Sequence, residues 1–192
     1  VPYYQDFETF VSGSANPFPV CWAKYSNYST GYPYATTSYN HSSNSSGMSI
    51  YMYSGSGTHS YMVLPTFDLP IDSTVVSFWL YKANTSYTHS ISVGVMEDPA
   101  DFTTYTEVAQ VAPSAVSTWE GFEVSLASYT GTGHHIALVS PDNSYSYPYL
   151  DDLTVDRLVD CPRPSGIVIS NIAGNSADME WNSTGAYEYE IS

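Results

Sequence analysis

Short segments with strand-like alternation, separated by turn sequences, run along most of this chain and restrict it to β-structure. Nine such segments lie at 4–10, 49–54, 60–64, 74–82, 90–96, 104–111, 121–125, 134–140 and 149–155. Turn sequences such as SGSG and GTG stand between them, since Gly permits the backbone angles that tight turns require. No capped amphipathic helix of about ten residues is found. The sequence therefore predicts an all-β fold, a sandwich or a barrel.

Length and composition are consistent with a globular β-domain. The 192 residues, 43% of them hydrophobic, suffice for one domain with a sizeable core and part of another. Tyr accounts for 19 residues, and aromatic and hydroxyl side chains favour a pleated surface over a helix. No run approaches the roughly 20 apolar residues of a membrane-spanning helix, so no membrane insertion is predicted. The absence of an initiator Met and a signal peptide suggests that Val1 is a processed or trimmed start.

The net charge of -15 limits the partners of the chain. Four basic residues face nineteen acidic ones, and binding to nucleic acid or to anionic lipid needs clustered Lys and Arg. Metal cations and neutral partners such as glycans are compatible with this charge. Acidity alone also serves to keep a secreted protein soluble.

Cys21 and Cys161 are the only cysteines. A zinc-finger site needs four clustered ligands, and a reactive thiol needs a positive environment, which four basic residues hardly supply. We therefore predict a disulfide between Cys21 and Cys161, worth about 4–5 kcal/mol for so long a loop. Two free buried thiols are the alternative.

Four carboxylates are predicted to lie near one edge of the fold. Asp6 and Glu8 belong to the first predicted strand, and Asp151 and Asp152 to the strand at 149–155. First and last strands of a β-sandwich often lie side by side, and crowded carboxylates need a cation or a proton. Strand alternation places Asp151 and Asp152 on opposite faces, so only one of them joins the group. Hard oxygen ligands favour structural Ca²⁺; a solvated acidic edge is the alternative.

Tyrosines concentrate in two places that lack strand alternation. The polar segment at 25–46 is long for a connection, which predicts a functional loop or a surface Ω-loop packed by its own rings. Exposed rings stack on the apolar faces of sugars, and their hydroxyls bond ring oxygens. The alternative is that these rings only cover a β-surface. The candidate ligand-binding residues are Tyr28, Tyr32, Tyr34, Tyr145 and Tyr147.

The sequence after residue 158 differs from what precedes it. DCPRPSG (160–166) reads as a linker, and three further strand-like segments follow, too few to bury a sandwich core. The stretch CPRPSGIVISNIAGNSADMEW…YEYEIS resembles the opening of a fibronectin type III domain. In that resemblance Pro164 starts strand A, Trp181 is the core tryptophan of strand B, and Tyr187 and Tyr189 open strand C. It covers about 30 residues and stops before the later strands.

The larger part resembles the MAM-like, cleaved-adhesin-like jelly-roll modules of Bacteroidetes surface and secreted proteins. This resemblance implies a jelly-roll domain at 1–158, a linker at 159–166 and a truncated fibronectin type III-like segment at 167–192. It also implies an extracellular or cell-surface, noncatalytic module that often holds calcium. The matching stretches are DFE (6–8), PVCW (19–22), VGVMEDPADFTTYTEV (93–108), WEGFEVSL (119–126), YTGTGHHIAL (129–138) and YLDDLTV (149–155).

Motifs for catalysis are missing from the sequence. It has no G-x-S-x-G elbow, no phosphate-binding loop of the Walker type and no H-E-x-x-H, so no enzymatic activity is predicted. The predicted function is an adhesin-like binding module, calcium-stabilised, for a glycan or an extracellular protein. One alternative is a structural subunit of a surface filament completed by neighbouring copies, because an incomplete sandwich exposes strand edges. Another is an accessory domain of a larger secreted hydrolase.

Overall fold

The computed structural model describes residues 2–9, 18–29, 31–42, 47–141, 145–158, 165–174 and 176–182. The chain divides into two compact units, Val1–Leu158 and Val159–Ser192. In the first unit, antiparallel strands form two sheets of a sandwich, so the all-β prediction is confirmed. Its described strands are β1 (Tyr3–Gln5), β2 (Ala23–Ser26), β3 (Tyr34–Thr36), β4 (Ser49–Tyr51), β5 (Ser60–Val63), β6 (Thr74–Tyr81), β7 (Ile91–Met96), β8 (Thr106–Val111), β9 (Trp119–Ser125), β10 (His135–Ser140) and β11 (Tyr149–Arg157).

The strand order separates neighbours in sequence. The first sheet has the order β3-β4-β11-β6-β9, and β1 also pairs with β11. The second sheet has the order β2-β5-β10-β7-β8. The chain thus crosses repeatedly between the sheets, and β11, the last strand of the unit, lies inside the first sheet beside the first strand. The predicted adjacency of first and last strands is confirmed by the pairing of Tyr3 with Val155.

Alternating side chains build the core between the sheets. In β6, Val76, Phe78 and Leu80 are buried, whereas Trp79 is exposed on the outer face. Period-two alternation of this kind gives a strand one buried side and one outer side. The inner sides of both sheets share one hydrophobic cluster that includes Phe7.

The second sheet differs because its outer face is also covered. All six residues of β7 are buried, as expected for a strand packed on both sides. Phe102 and Tyr105, which follow β7, pack on a second cluster that contains Tyr61 and Met96. The outer face of the second sheet is thereby closed over this cluster by the chain itself.

The predicted strand at 4–10 is too long, and two strands were missed. β1 ends at Gln5, and the chain turns at Phe7, whose φ is 56°. The missed strands are β2 and β3, each at the edge of a sheet and only four and three residues long. An edge strand this short gives little hydrophobic periodicity for sequence reasoning to detect.

The second unit is described as one hairpin of β12 (Ser165–Ala173) and β13 (Ser176–Asn182). The predicted strand containing Tyr187 and Tyr189 lies outside the described residues, as do Cys161 and Pro164. The linker and the fibronectin type III identity of this unit therefore stay predictions.

Candidate functional site

The turn after β1 brings two carboxylates beside the last strand of the first unit. Gln5 pairs with Leu153 of β11, so the residues that follow β1 lie next to the aspartate pair. Phe7 is fully buried against Trp22, with ring centroids 5.9 Å apart. The Glu8 amide donates a hydrogen bond of 3.1 Å to Asp6 Oδ1. The buried Phe7 ring thus anchors a turn that presents both acidic neighbours.

A β-bulge in β11 positions the other two carboxylates. The pairing of β11 with β6 shifts register between Asp151 and Thr154, and Asp152 has a φ of 49°. The backbone N–H of His41 donates to Asp151 Oδ2 at 2.8 Å, and His41 Nδ1 lies 2.6 Å from Asp152 Oδ2. The prediction that the aspartates point to opposite faces is wrong, because a bulge interrupts strand alternation.

Negative charge is concentrated and only partly compensated in this carboxylate cluster of Asp6, Glu8, Asp151 and Asp152. Asp151 is 1% exposed, and its burial raises its pKa to about 7; the charges of Asp152 and Glu8 add to the rise, whereas N–H groups of His41 and Asp152 oppose it. Burial, with the charges of Asp6 and Asp152, also raises the pKa of Glu8 above its usual range, although hydrogen bonds from Ser42 and Met48 oppose the rise. Upward shifts of this kind are expected where burial and neighbouring carboxylates outweigh the groups that favour the ionised form.

One oxygen of the cluster has no partner within the described part of the chain. Glu8 Oε1 is buried and accepts no hydrogen bond there. Gly47 makes room for this carboxylate, because a Cβ on Gly47 would lie 2.7 Å from Glu8 Oε2. A buried, unpaired carboxylate oxygen among other carboxylates fits a hard cation such as Ca²⁺. No ready-made group of three or more His, Cys, Asp or Glu side chains with metal-binding geometry occurs in the described ranges, so backbone oxygens or waters would have to complete a shell.

Asp152 is engaged differently from Asp151. Its Oδ1 accepts a hydrogen bond of 2.6 Å from the Tyr4 hydroxyl, while its Oδ2 contacts His41. The His41 ring in turn stacks on Trp79, with centroids 4.1 Å apart and planes 22° apart. Asp152 thus connects the carboxylate cluster to two aromatic side chains on the outer face of the first sheet.

A row of aromatic residues crosses the first sheet at right angles to its strands. Register pairs Tyr34 with Tyr51, Tyr51 with Tyr149, Tyr149 with Tyr81, and Tyr81 with Trp119. Successive ring centroids lie 4.8–6.3 Å apart. Direct cross-strand aromatic pairs stabilise a sheet, and burial raises the pKa of Tyr149 to about 12. The row is therefore part of the folded framework.

The segment at 37–42 lies over part of this row. Tyr39 stacks on Tyr81, with centroids 4.4 Å apart, and the Trp119 indole donates a hydrogen bond of 3.0 Å to the Asn40 carbonyl. This part of the predicted tyrosine-rich loop packs against the sheet by its own rings, as the structural alternative proposed.

A second group of rings remains accessible and is called the tyrosine patch: Tyr28, Tyr53, Tyr87, Tyr145 and Tyr147. Tyr53 contacts Tyr28 and Tyr147 with centroid distances of 4.6 and 6.0 Å, and Tyr87 contacts Tyr145 and Tyr147 at 5.4 and 5.1 Å. Tyr28 is 52% exposed, Tyr145 43% and Tyr87 37%. The patch thus combines mutual ring packing with three open ring surfaces.

The predicted ligand-binding tyrosines are brought close together, although they divide between two roles. Tyr28, Tyr145 and Tyr147 belong to the tyrosine patch. Tyr34 belongs to the aromatic row, and Tyr32 contacts both Tyr28 and Tyr34, at 6.1 and 5.3 Å, so it joins the two groups.

Two members of the tyrosine patch were missed by sequence reasoning. Tyr53 follows Tyr51 at an interval of two at the end of the predicted strand 49–54, so alternation alone indicates the same face as the row. Nothing in the sequence around Tyr87 distinguishes it, because its neighbours are polar residues of a connection. Below the patch, the fully buried His89 ring packs against Tyr147 with centroids 4.5 Å apart, and burial lowers the pKa of this histidine.

Cys21 is exposed and takes part in no disulfide among the described residues. Its predicted partner, Cys161, lies outside them, so the disulfide stays a prediction.

No protein-family model matches this sequence, and no curated protein matches it. Among solved structures, the K1 cleaved adhesin domain of Lys-gingipain from Porphyromonas gingivalis matches with a TM-score of 0.60 at 16% identity, covering 81% of this chain and 98% of that domain. The K2 cleaved adhesin domain of Lys-gingipain matches with a TM-score of 0.61 at 15% identity, covering 81% and 99%. The CBM22-1 xylan-binding domain of Paenibacillus barcinonensis Xyn10C matches with a TM-score of 0.52 at 13% identity, covering 81% and 93%.

At these identities the matches establish the fold. The chain contains a β-sandwich of the kind seen in cleaved adhesin domains, which confirms the adhesin-like jelly-roll prediction. The MAM-like and fibronectin type III resemblances stay predictions. The described ranges contain two short 3₁₀-helices, Ile71–Ser73 and Phe102–Thr104, and neither is long and apolar enough to cross a membrane.

Proposed function

We propose that this chain is a noncatalytic, extracellular binding module that holds a neutral glycan on its tyrosine patch. The observation that carries the proposal is the set of exposed rings of Tyr28, Tyr87 and Tyr145. Tyr28 packs on Tyr53, Tyr87 on Tyr147, and Tyr145 on Tyr87. Aromatic rings fixed in this way offer flat apolar surfaces at low cost in conformational entropy, with hydroxyl groups at their edges.

Gly55 brings two of these rings close to the backbone. A Cβ on Gly55 would lie 3.6 Å from the Tyr145 ring and 3.7 Å from the Tyr28 ring. The glycine thus lies against both rings, so Tyr28 and Tyr145 are neighbours in the patch. A sugar has two apolar faces and a rim of hydroxyls, which suits a surface of rings and phenolic groups.

The charge of the chain favours an uncharged glycan. A net charge of -15 repels sulfated or uronic-acid polymers at low and moderate salt. Stacking on tyrosine does not depend on ligand charge, so neutral sugars keep the whole favourable interaction.

The named neighbours of the fold are consistent with this function. One is a xylan-binding domain and two are adhesin domains. They are also named as domains of larger proteins, Lys-gingipain and Xyn10C, which favours a second candidate, an accessory domain whose parent protein supplies the chemistry. Both candidates assign the same binding role to this chain.

We further propose that the carboxylate cluster holds a structural Ca²⁺, with Glu8 and Asp151 as its side-chain ligands and backbone oxygens or waters completing the shell. The unpaired, buried Glu8 Oε1 and the buried Asp151 support this choice. Asp152 ranks below Asp151, because its oxygens contact the side chains of Tyr4 and His41, whereas those of Asp151 accept only from the backbone N–H groups of His41 and Asp152. When bound, the ion would supply the positive charge that the cluster lacks and would hold the turn after β1 against β11.

A glycan array with the wild-type chain in calcium-containing buffer tests the binding proposal. We expect binding to at least one neutral polysaccharide, and at least a tenfold loss of affinity in the double variant Tyr28→Ala/Tyr145→Ala, because stacking surfaces are removed. Tyr25→Ala is the matched control: its ring is 49% exposed but lies on β2 of the other sheet.

Two results would overturn the glycan proposal. One is the absence of binding to every neutral glycan on the array. The other is wild-type affinity in Tyr28→Ala/Tyr145→Ala.

A further inference from the structure

A second site lies on the outer face of the first sheet, away from the tyrosine patch. Strand register aligns four outward side chains across β1, β11, β6 and β9: Tyr4 pairs with Thr154, Thr154 with Ser77, and Ser77 with Glu123. The two middle side chains are short hydroxyls. The row therefore has a low centre, with a ring at one end and a carboxylate at the other.

Two exposed aromatic residues bound this low centre, and the resulting trough has a volume of about 440 Å³. Tyr4 is 58% exposed and Trp79 37%. Their strands, β1 and β6, both pair with β11, so their backbones are about 10 Å apart at the usual spacing of strands. Small-molecule sites have volumes of about 300–1,000 Å³, and the trough falls within this range.

Both walls are held in place by hydrogen bonds and stacking. The Tyr4 hydroxyl donates to Asp152 Oδ1 at 2.6 Å, and Asp152 Oδ2 contacts His41 Nδ1 at 2.6 Å. His41 stacks on one face of the Trp79 ring at 4.1 Å and does not line the trough. Gly121 lies against the ring as well, since a Cβ there would be 3.5 Å from three atoms of its six-membered part, so Trp79 presents an edge of its indole to the trough. The rings of Tyr4 and Trp79 are thus fixed through one carboxylate, which lowers the entropy lost on binding a ligand.

The lining selects the chemistry of the ligand. Ser77 and Thr154 offer hydroxyls that donate and accept, whereas Glu123 offers carboxylate oxygens that accept from ligand hydroxyls. The charges of Glu123 and Asp152 repel anions. A ligand with an apolar face and a rim of hydroxyls matches the Tyr4 ring, the Trp79 edge and the polar floor together.

We infer that this trough binds one pyranose residue of a neutral glycan between Tyr4 and Trp79. The inference extends the proposed function to a second surface, on different strands and with different residues from the tyrosine patch.

The indole N–H signals of an NMR spectrum report on this site separately. Trp22 donates its indole hydrogen to the Tyr3 hydroxyl at 2.9 Å, and Trp119 donates to Asn40, so neither signal depends on the trough. The Trp79 signal is assigned by its absence in Trp79→Phe. The full chain is titrated with xylohexaose, cellohexaose, mannohexaose and laminarihexaose, each in calcium-containing buffer.

We expect at least one hexasaccharide to shift the Trp79 signal saturably. Trp79→Ala abolishes this signal, so calorimetry is its readout: the binding event of the trough should be weakened at least tenfold while that of the tyrosine patch remains. Trp79→Phe, which keeps a ring, should weaken the trough less. Tyr4→Ala removes the opposite wall at a largely exposed position and should weaken binding about fivefold, an effect of about 1 kcal/mol. The Tyr25→Ala chain should bind like the wild type.

The outcomes separate the two sites. Weakened array binding in Tyr28→Ala/Tyr145→Ala with an unchanged Trp79 shift supports two independent sites. Saturable binding without a Trp79 shift, unchanged in Tyr4→Ala, overturns the trough and leaves the proposed function intact. If no hexasaccharide moves the Trp79 signal, the inference of glycan binding at the trough is also wrong. Glycan binding at the tyrosine patch is tested separately, by the glycan array.

Discussion

The carboxylate cluster groups acidic side chains, and the tyrosine patch groups aromatic ones. The two groups differ in what they need to be stable in the folded chain. In the cluster, like charges are packed together, Asp151 is almost fully buried and Glu8 Oε1 has no hydrogen-bond partner in the described ranges. In the patch, rings pack on one another and leave only their outer surfaces open. The cluster therefore requires a cation or a proton to be stable, whereas the rings of the patch stabilise one another and leave ring surface free for a ligand.

The largest expected effect is that of calcium on stability. A ligand at 100 times its dissociation constant stabilises the folded state by about 2.7 kcal/mol, which raises the melting temperature of a chain this long by roughly 5–10 °C. Thermal melts followed by circular dichroism in calcium and in EGTA measure this difference. Identical melting temperatures would mean that the cluster is held by protons alone.

The next effect concerns the cluster's unpaired oxygen. Glu8→Gln removes one negative charge and one calcium ligand, so it should lower the calcium-dependent gain by at least half and raise the melting temperature in EGTA. Asp72→Asn is the matched control, because Asp72 is exposed and distant in sequence from the cluster. If the Glu8→Gln chain keeps the full calcium-dependent gain in melting temperature, the ion binds elsewhere.

A smaller effect is the pH dependence of stability in EGTA. The folded-state pKa of Asp151 is raised to about 7, whereas an unfolded Asp has a pKa of about 3.9. Between these values the folded state binds more protons, so this group's contribution is fully present below pH 4 and is lost as pH rises through 7. Denaturant unfolding from pH 5 to pH 8 should therefore show stability falling with pH in EGTA.

The matched arm of that experiment is the same pH series in saturating calcium. There the ion favours the ionised carboxylate, so the fall should disappear. Stability that rises with pH in EGTA would contradict a buried, uncompensated Asp151.

The smallest expected effect is that of the exposed tyrosines on folding. Tyr28→Ala and Tyr145→Ala should each lower the free energy of unfolding by less than about 1 kcal/mol, because these side chains are half exposed. Urea unfolding of each variant at pH 7 in calcium measures this. A decrease in the free energy of unfolding above about 2 kcal/mol would show that these rings stabilise the fold. The patch would then not differ from the cluster as described above.

Much of the fold follows from alternation in the sequence. The predicted strand at 74–82 contains β6, whose alternating pattern directly reflects burial on one side. The meeting of Asp6 and Glu8 with Asp151 and Asp152 also followed from a general rule, the adjacency of first and last strands, which the pairing of β1 with β11 confirms.

What failed was any inference that needed irregular backbone. The β-bulge at Asp152, with its positive φ, overturned strict alternation and brought both aspartates to His41. A bulge depends on how a strand fits its partners in the folded sheet, so the residue types of the strand do not predict it. The trough between Tyr4 and Trp79 was missed for a related reason, since it depends on the register of four strands distant in sequence.

A crystal structure grown with calcium and a hexasaccharide that binds on the array separates the roles of the carboxylate cluster and the tyrosine patch. We predict ion density bounded by Glu8 and Asp151, and separate sugar density against the rings of Tyr28 and Tyr145. Sugar bound directly to an ion in the carboxylate cluster, or a tyrosine patch without sugar in a complex of measured affinity, would contradict this prediction.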